Sequence, residues 1–213
     1  MMKVPIFSMQ CLAGAALFLC CSLHAQSTVR YQSKPGASKI TINGTSTLHD
    51  WIVSTPAVGG FMEIDPAFDA DLKTLASTPK VEVTVPVRQL KNSELKKPMD
   101  NVMYEHMDAK DHPTIKYRLL KLAPQSSGGA GQFDAQGELT VSGVTRTNTM
   151  PVTFERVDKS TLKVKGSTNL KMTDFKIQPP TLTVLGVGIR TGDDVKLSFE
   201  WVTAQPEKTA EAK

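Results

Sequence analysis

Cysteine is confined to the start of this chain: Cys11, Cys20 and Cys21 are its only three. Past them there is no thiol nucleophile, no disulfide and no cysteine metal site. Aromatic residues make up only 6% of the sequence. Basic residues never run to five in a row, and none of their clusters is interleaved with aromatics. With a mild formal charge of +4, nucleic-acid binding has little support. Gly186-Val187-Gly188 has neither a following helix pattern nor a lysine–hydroxyl pair, so it is no nucleotide loop. No nucleophile-elbow motif occurs, and nothing in the pattern asks for a cofactor.

Long apolar runs are also missing. The longest, Cys11 to Leu23, is about 13 residues, against the ~20 a membrane-spanning helix needs. With Lys3 ahead of it and Ala25 behind, it reads as a secretory signal peptide over residues 1–25, cut before Gln26. Lipid attachment at Cys20 or Cys21 would want a small residue just before the cysteine, where Leu19 and Cys20 stand. The expected location is the periplasm or the medium outside the cell. Loss of Lys3 with the leader leaves a charge of about +3. Residues 26–37 read as a polar lead-in, 38–203 as one domain and 204–213 as a polar tail.

What the domain does have is alternation. Val81, Val83, Val85 and Val87 interleave with Lys80, Glu82, Thr84 and Pro86, as in a half-buried antiparallel strand. Pro86 lacks an N–H and should stand at an edge, bulge or strand end. Thr114 to Leu119, Gln136 to Val141, Met150 to Phe154, Leu162 to Val164, Leu170 to Met172 and Val195 to Trp201 repeat the pattern. Ser126 to Gly131 makes a flexible hairpin tip. Short, regularly spaced alternating strands predict a mainly β chain, an antiparallel sandwich or barrel. A barrel fits better, because closure removes the exposed edges of so many strands.

One stretch departs from this period. Met99, Val102, Met103 and Met107 fall at helical spacing, with Pro98 suited to a first turn and Asp100 near the positive end of the helix dipole. The spacing predicts one short helix from Pro98 to Met107 that covers an end of the barrel, stopped by Asp111-His112-Pro113. His106, Asp108, Asp111 and His112 are the nearest approach to a metal set. Two histidines six apart do not share a helix face, so they read as polar residues leaving a helix end rather than ligands.

Ile42 to Val53 is the densest stretch. Asn43-Gly44 is a hairpin signal between Lys39–Ile42 and Leu48–Val53. A period of two puts Thr47, His49, Trp51 and Val53 on one face and Leu48, Asp50 and Ile52 on the other. His49 and Asp50 therefore point apart and do not form an imidazole–carboxylate pair within one site.

Five segments stand out: Gly44-Thr45-Ser46-Thr47-Leu48-His49-Asp50-Trp51, Gly59-Gly60-Phe61, Met99-Asp100 through Lys110-Asp111-His112-Pro113-Thr114-Ile115-Lys116-Tyr117, Gly137 to Thr145, and Thr173-Asp174-Phe175-Lys176-Ile177-Gln178-Pro179-Pro180. In this order they together resemble the YceI-like family of exported, lipocalin-like, polyisoprenoid-binding proteins. The resemblance runs from about Ser38 to Val202. It implies an eight-stranded lipocalin-like antiparallel barrel with a long apolar tunnel for an isoprenoid chain and helical cover at one end. Pro66 to Thr78 carries none of these motifs.

In such a barrel, core and cavity share the inward positions. The candidate ligand-binding residues are Trp51, His49, Phe61, Val83, Val85, Ile115, Tyr117, Leu139, Phe154, Leu197 and Phe199. The expected function is non-enzymatic binding of a polyisoprenoid, an isoprenoid quinone or another long-chain amphiphile, for transport, storage or stress-related scavenging. A homodimer is compatible with this reading. The alternatives are an enzyme acting on a lipid or quinone head group with His49 as acid–base, and an assembly protein with a filled barrel.

Overall fold

The computed structural model describes residues 28–92, 96–126, 128–184 and 187–206. The predicted leader, residues 1–25, and the tail beyond residue 206 lie outside the described residues. In chain order the elements are β1 (Val29–Ser33), β2 (Lys39–Ser46), β3 (Trp51–Thr55), β4 (Gly59–Ile64), α1 (Pro66–Asp71), β5 (Lys80–Pro86), β6 (Lys91–Asn92), α2 (Lys96–His106) and β7 (Thr114–Pro124). There follow β8 (Gln132–Val141), β9 (Val144–Asp158), β10 (Thr161–Lys171), β11 (Thr181–Val184) and β12 (Val187–Ala204). Short 3-10 turns lie at Val87–Gln89 and Met172–Phe175.

Eight strands close a ring in the order β1-β4-β5-β7-β8-β9-β10-β12, and β12 returns to β1. Every pairing is antiparallel. Toward one end β2, β3 and β6 carry the wall onward, with β2 between β12 and β3, and β3 against β6. Beyond them β11 pairs with the start of β12 and extends past the ring. The mainly β barrel with one substantial helix expected from alternation is the architecture observed. Pro86 falls, as its missing N–H demands, at the end of β5.

Local chemistry sets the turns. Ser142 and Gly143, both at positive φ (50° and 73°), join β8 to β9 in the two-residue loop that matches the twist of flanking strands. Asn43-Gly44, by contrast, is no turn. Both residues lie inside β2, and Gly44 pairs with Trp51. A Cβ on Gly44 would come within 2.1 Å of the indole, so this glycine serves the close approach of a ring to backbone. The reversal comes later, between Ser46 and Asp50. There the Ser46 hydroxyl donates to the His49 carbonyl (2.7 Å) and accepts from the His49 N–H (3.2 Å).

One further expectation changes, and the stretch without family motifs gains an element. Residues 26–37 are more than a lead-in, because β1 lies within them and its Tyr31 is fully buried. Pro66 to Thr78 contains α1, which has the usual start signal: Asp65 accepts from the Ala67 N–H (2.7 Å) with Pro66 at the first position.

That short helix closes one end of the barrel. Phe68 inserts edge-on against Phe133 and Phe154, with ring centroids 5.4 and 5.3 Å away. Around it, the Tyr31 hydroxyl donates to Asp69 (2.7 Å), and Arg156 reaches the same carboxylate (2.6 Å). Phe68→Ala should cost about 3–5 kcal/mol, the range for emptying a buried aromatic site. Urea unfolding followed by tryptophan fluorescence measures it, and a loss under about 1 kcal/mol would show that the aromatic floor is not structurally required.

Candidate functional site

The inward side chains do not fill the barrel. A cavity of about 370 Å³ runs along it, bordered by apolar groups from two buried clusters. The first cluster, around Phe68, Met62, Phe154 and Trp201, forms the floor. The second, around Val53, Leu90, Met107, Leu139 and Phe175, lies toward the other end. Val83, Ile115, Tyr117, Leu197 and Phe199 point into the space between and are only partly buried.

Ten of the eleven candidate residues line this cavity: His49, Trp51, Val83, Val85, Ile115, Tyr117, Leu139, Phe154, Leu197 and Phe199. Phe61 does not. In β4, Met62 and Ile64 are the fully buried residues, so the alternation turns Phe61 and Glu63 outward. Phe61 lies beneath the Arg30 guanidinium, 3.9 Å from the ring centroid, and Lys80 stands 5.1 Å away. The charged Glu63 two residues on was the available signal for that face. Lining residues not singled out from sequence include Met62, Met150, Leu170 and Asn148. Asn148 shares the parity of Met150, Val152 and Phe154, which could have found it.

The far end is the mouth. Met99, Val102 and Met103 of α2, Met172, and Leu182 and Ile189 of the β11–β12 hairpin border it, with Leu48 two-thirds exposed on the β2–β3 turn. The helix predicted at Pro98–Met107 is present as α2, and it is tied down. The Tyr104 hydroxyl donates to the Leu90 carbonyl (2.7 Å) and accepts from Lys91 (2.7 Å). Asp100, 5% exposed, accepts from the Asn92 N–H (2.8 Å) and faces Lys91 at 3.5 Å. His106 Nδ1 donates to the Gln178 carbonyl (2.9 Å), linking α2 to the loop after the 3-10 turn at Met172–Phe175.

His49 sits exposed at this mouth, where its Nδ1 donates to the Asp50 carbonyl (2.6 Å). Its ring is thus held by backbone rather than by a carboxylate. Among the described residues, no three His, Cys, Asp or Glu side chains converge as a metal site. His112 is 3.8 Å from Asp108, while His106 faces Gln178.

Deeper in, Tyr117 is the one titratable side chain of the middle lining among the described residues. Removal of its hydroxyl from water penalises the phenolate and pushes its pKa up to about 12. Below pH 10 the phenol is neutral whether the chain is folded or not, so its raised pKa makes stability no more pH-dependent there. Between pH 10 and about 12 the unfolded chain gives up the proton first, and stability falls as pH rises. The stability of Tyr117→Phe should decline less over that window; equal slopes in chemical denaturation at stepped pH would contradict a buried phenol.

Residues 31–203 match the family described as YceI-like domain. Among curated proteins, none matches the chain. Solved structures are similar in fold. BcnA of Burkholderia cenocepacia is 20% identical with a TM-score of 0.62, the match covering 80% of this chain and 98% of that one. A polyisoprenoid binding domain from Saccharophagus degradans, implicated in plant cell wall breakdown, is 12% identical with a TM-score of 0.61, covering 84% and 99%. The Campylobacter jejuni YCEI protein is 17% identical with a TM-score of 0.54, covering 73% and 85%.

Proposed function

The chain belongs to the YceI-like domain family, and from that premise we propose that it is an exported, non-enzymatic carrier or scavenger of a long-chain amphiphile. An isoprenoid or isoprenoid quinone would lie in the barrel with its hydrocarbon in the cavity, for transport, storage or stress-related scavenging. One observation carries this reading: an apolar cavity of about 370 Å³, floored by aromatics at one end and bordered by methionines at the other. The charged groups along its lining, Asp100 and Lys171, belong to the mouth region, and Asp100 is already engaged by Lys91 and the Asn92 N–H. The polyisoprenoid binding described for the Saccharophagus degradans domain supports the ligand class by analogy. Among the described residues no helix is long and apolar enough to cross a membrane, and the predicted leader supports the periplasm or medium as the location.

Size sets an expectation for the ligand. A cavity of about 370 Å³ takes a chain of limited length. Each methylene-sized group gains ~0.8 kcal/mol on leaving water, close to fourfold in affinity. Affinity for a series of prenyl or alkyl chains should therefore climb steeply with length and flatten once the cavity is full, as titrated by tryptophan quenching. A series with no length dependence would remove the tunnel from the binding event.

The direct test is native mass spectrometry of protein purified from the producing cell's periplasm, followed by organic extraction. A co-purifying amphiphile is expected. If none appears and no polyprenyl or quinone analogue binds, the carrier reading fails. His49→Ala should leave such binding within about twofold, since the ring is exposed and backbone-bonded. Turnover of a lipid or quinone that vanishes in His49→Ala would instead establish the enzymatic alternative.

A further inference from the structure

Two buried polar atoms of cavity-lining residues have no hydrogen-bond partner among the described residues: the Tyr117 hydroxyl and Asn148 Oδ1. Buried polar groups are costly when left unpaired, and the great majority in folded proteins are paired. Phenylalanine and leucine would line the same wall without that cost. The two residues flank the same glycine in the fold. Tyr117 pairs with Leu139 on β8 and lays its ring across Gly137, where a Cβ would come within 2.4 Å of the hydroxyl. Gly137 in turn pairs with Asn148 on β9. Tyr117 touches both apolar clusters, which places this spot about halfway between floor and mouth.

We propose that Tyr117 and Asn148 form a polar station in mid-tunnel that receives the hydroxyl of a neutral long-chain alcohol. This rests on the carrier reading above and names the head-group chemistry. A hydroxyl can accept from the tyrosine O–H and donate to the asparagine carbonyl at once. A ketone or ether oxygen can only accept, which leaves Asn148 Oδ1 unpaired. A phosphate or carboxylate would bring a charge to a level of the barrel whose lining holds no cation among the described residues, and burial of an unpaired charge is heavily penalised. The tyrosine stays a donor throughout the physiological range, because its environment opposes the phenolate. Gly137 contributes by absence, since any side chain there would displace the ring.

The test compares three probes of equal chain length on the delipidated full-length protein: farnesol, farnesyl methyl ether and farnesyl phosphate. Farnesol should bind about tenfold more tightly than the ether, as one net hydrogen bond allows, and the phosphate more weakly than farnesol. Tyr117→Phe and Asn148→Leu should each erase that preference while ether binding holds or improves. Gly137→Ala, which removes no polar group, should erase it as well by moving the ring. Near-ultraviolet circular dichroism of each variant checks that the barrel is intact, and a variant that fails this check is replaced by Tyr117→Leu or Asn148→Val. Equal affinity of the wild type for alcohol and ether, or variants that weaken both alike, would overturn the station and leave the carrier reading standing. Failure of all three probes to bind would overturn both.

Discussion

The barrel depends on a narrow seam. β1 and β12, from opposite ends of the domain, meet over two residue pairs, Gln32 with Ala204 and Ser33 with Thr203. Side chains reinforce the join: the Trp201 indole N–H donates to the Ser33 hydroxyl (2.6 Å), and the Val202 N–H donates to Ser38 (3.0 Å). The Lys34 N–H adds a backbone bond to the Val202 carbonyl (2.9 Å). Without this seam the sheet would have two free edges and an inner face open to water along its length. With it, the inward side chains face one another, and the space they leave becomes a container. The seam spans most of the sequence, so it belongs among the contacts whose loop-closure cost is greatest.

Much of that container was legible because it rests on parity. Val83, Val85, Ile115, Tyr117, Leu197 and Phe199 were placed inward by alternation alone, and they line the cavity. The misplacements have specific causes. Asn43-Gly44 has the composition of a hairpin turn, yet its glycine answers to Trp51 on the next strand, a contact that sequence spacing does not express. Phe61 enters with the Gly59-Gly60-Phe61 segment of the family resemblance, although Glu63 and the buried Met62 and Ile64 show that its face is the outer one. β1 was hidden by its own polarity, since only Tyr31 of Val-Arg-Tyr-Gln-Ser turns fully inward. The Tyr117–Asn148 pairing was beyond reach, because it depends on the register of three adjacent strands.

An eight-stranded barrel is just wide enough for side chains to fill it or to leave room for one small ligand. Which outcome results depends on where the large residues go. Here Phe68, Phe133 and Phe154 interlock at the floor, and α1 supplies the one that the wall strands could not. At the mouth, bulk comes from Met99, Met103 and Met172, whose unbranched side chains repack around irregular shapes. Rigid aromatics at one end and adaptable thioethers at the other make a cavity that keeps its depth while its opening can accommodate different chains.

The same lining argues about charge. Catalysis on a head group would develop charge in the transition state and would need preorganised donors or ions aimed at it. In the middle of this barrel the polar equipment is one neutral phenol and one amide. Asp100, the buried carboxylate, is already held by Lys91 and the Asn92 N–H on the wall beside α2. His49, which could move a proton, stands at the mouth with its Nδ1–H committed to backbone. A lumen of this kind favours the uncharged part of a ligand. Any ionised part of a ligand would remain at the mouth, near Lys171 and in reach of water. Selectivity would then come from chain length and from what the ligand offers to two uncharged hydrogen-bonding atoms.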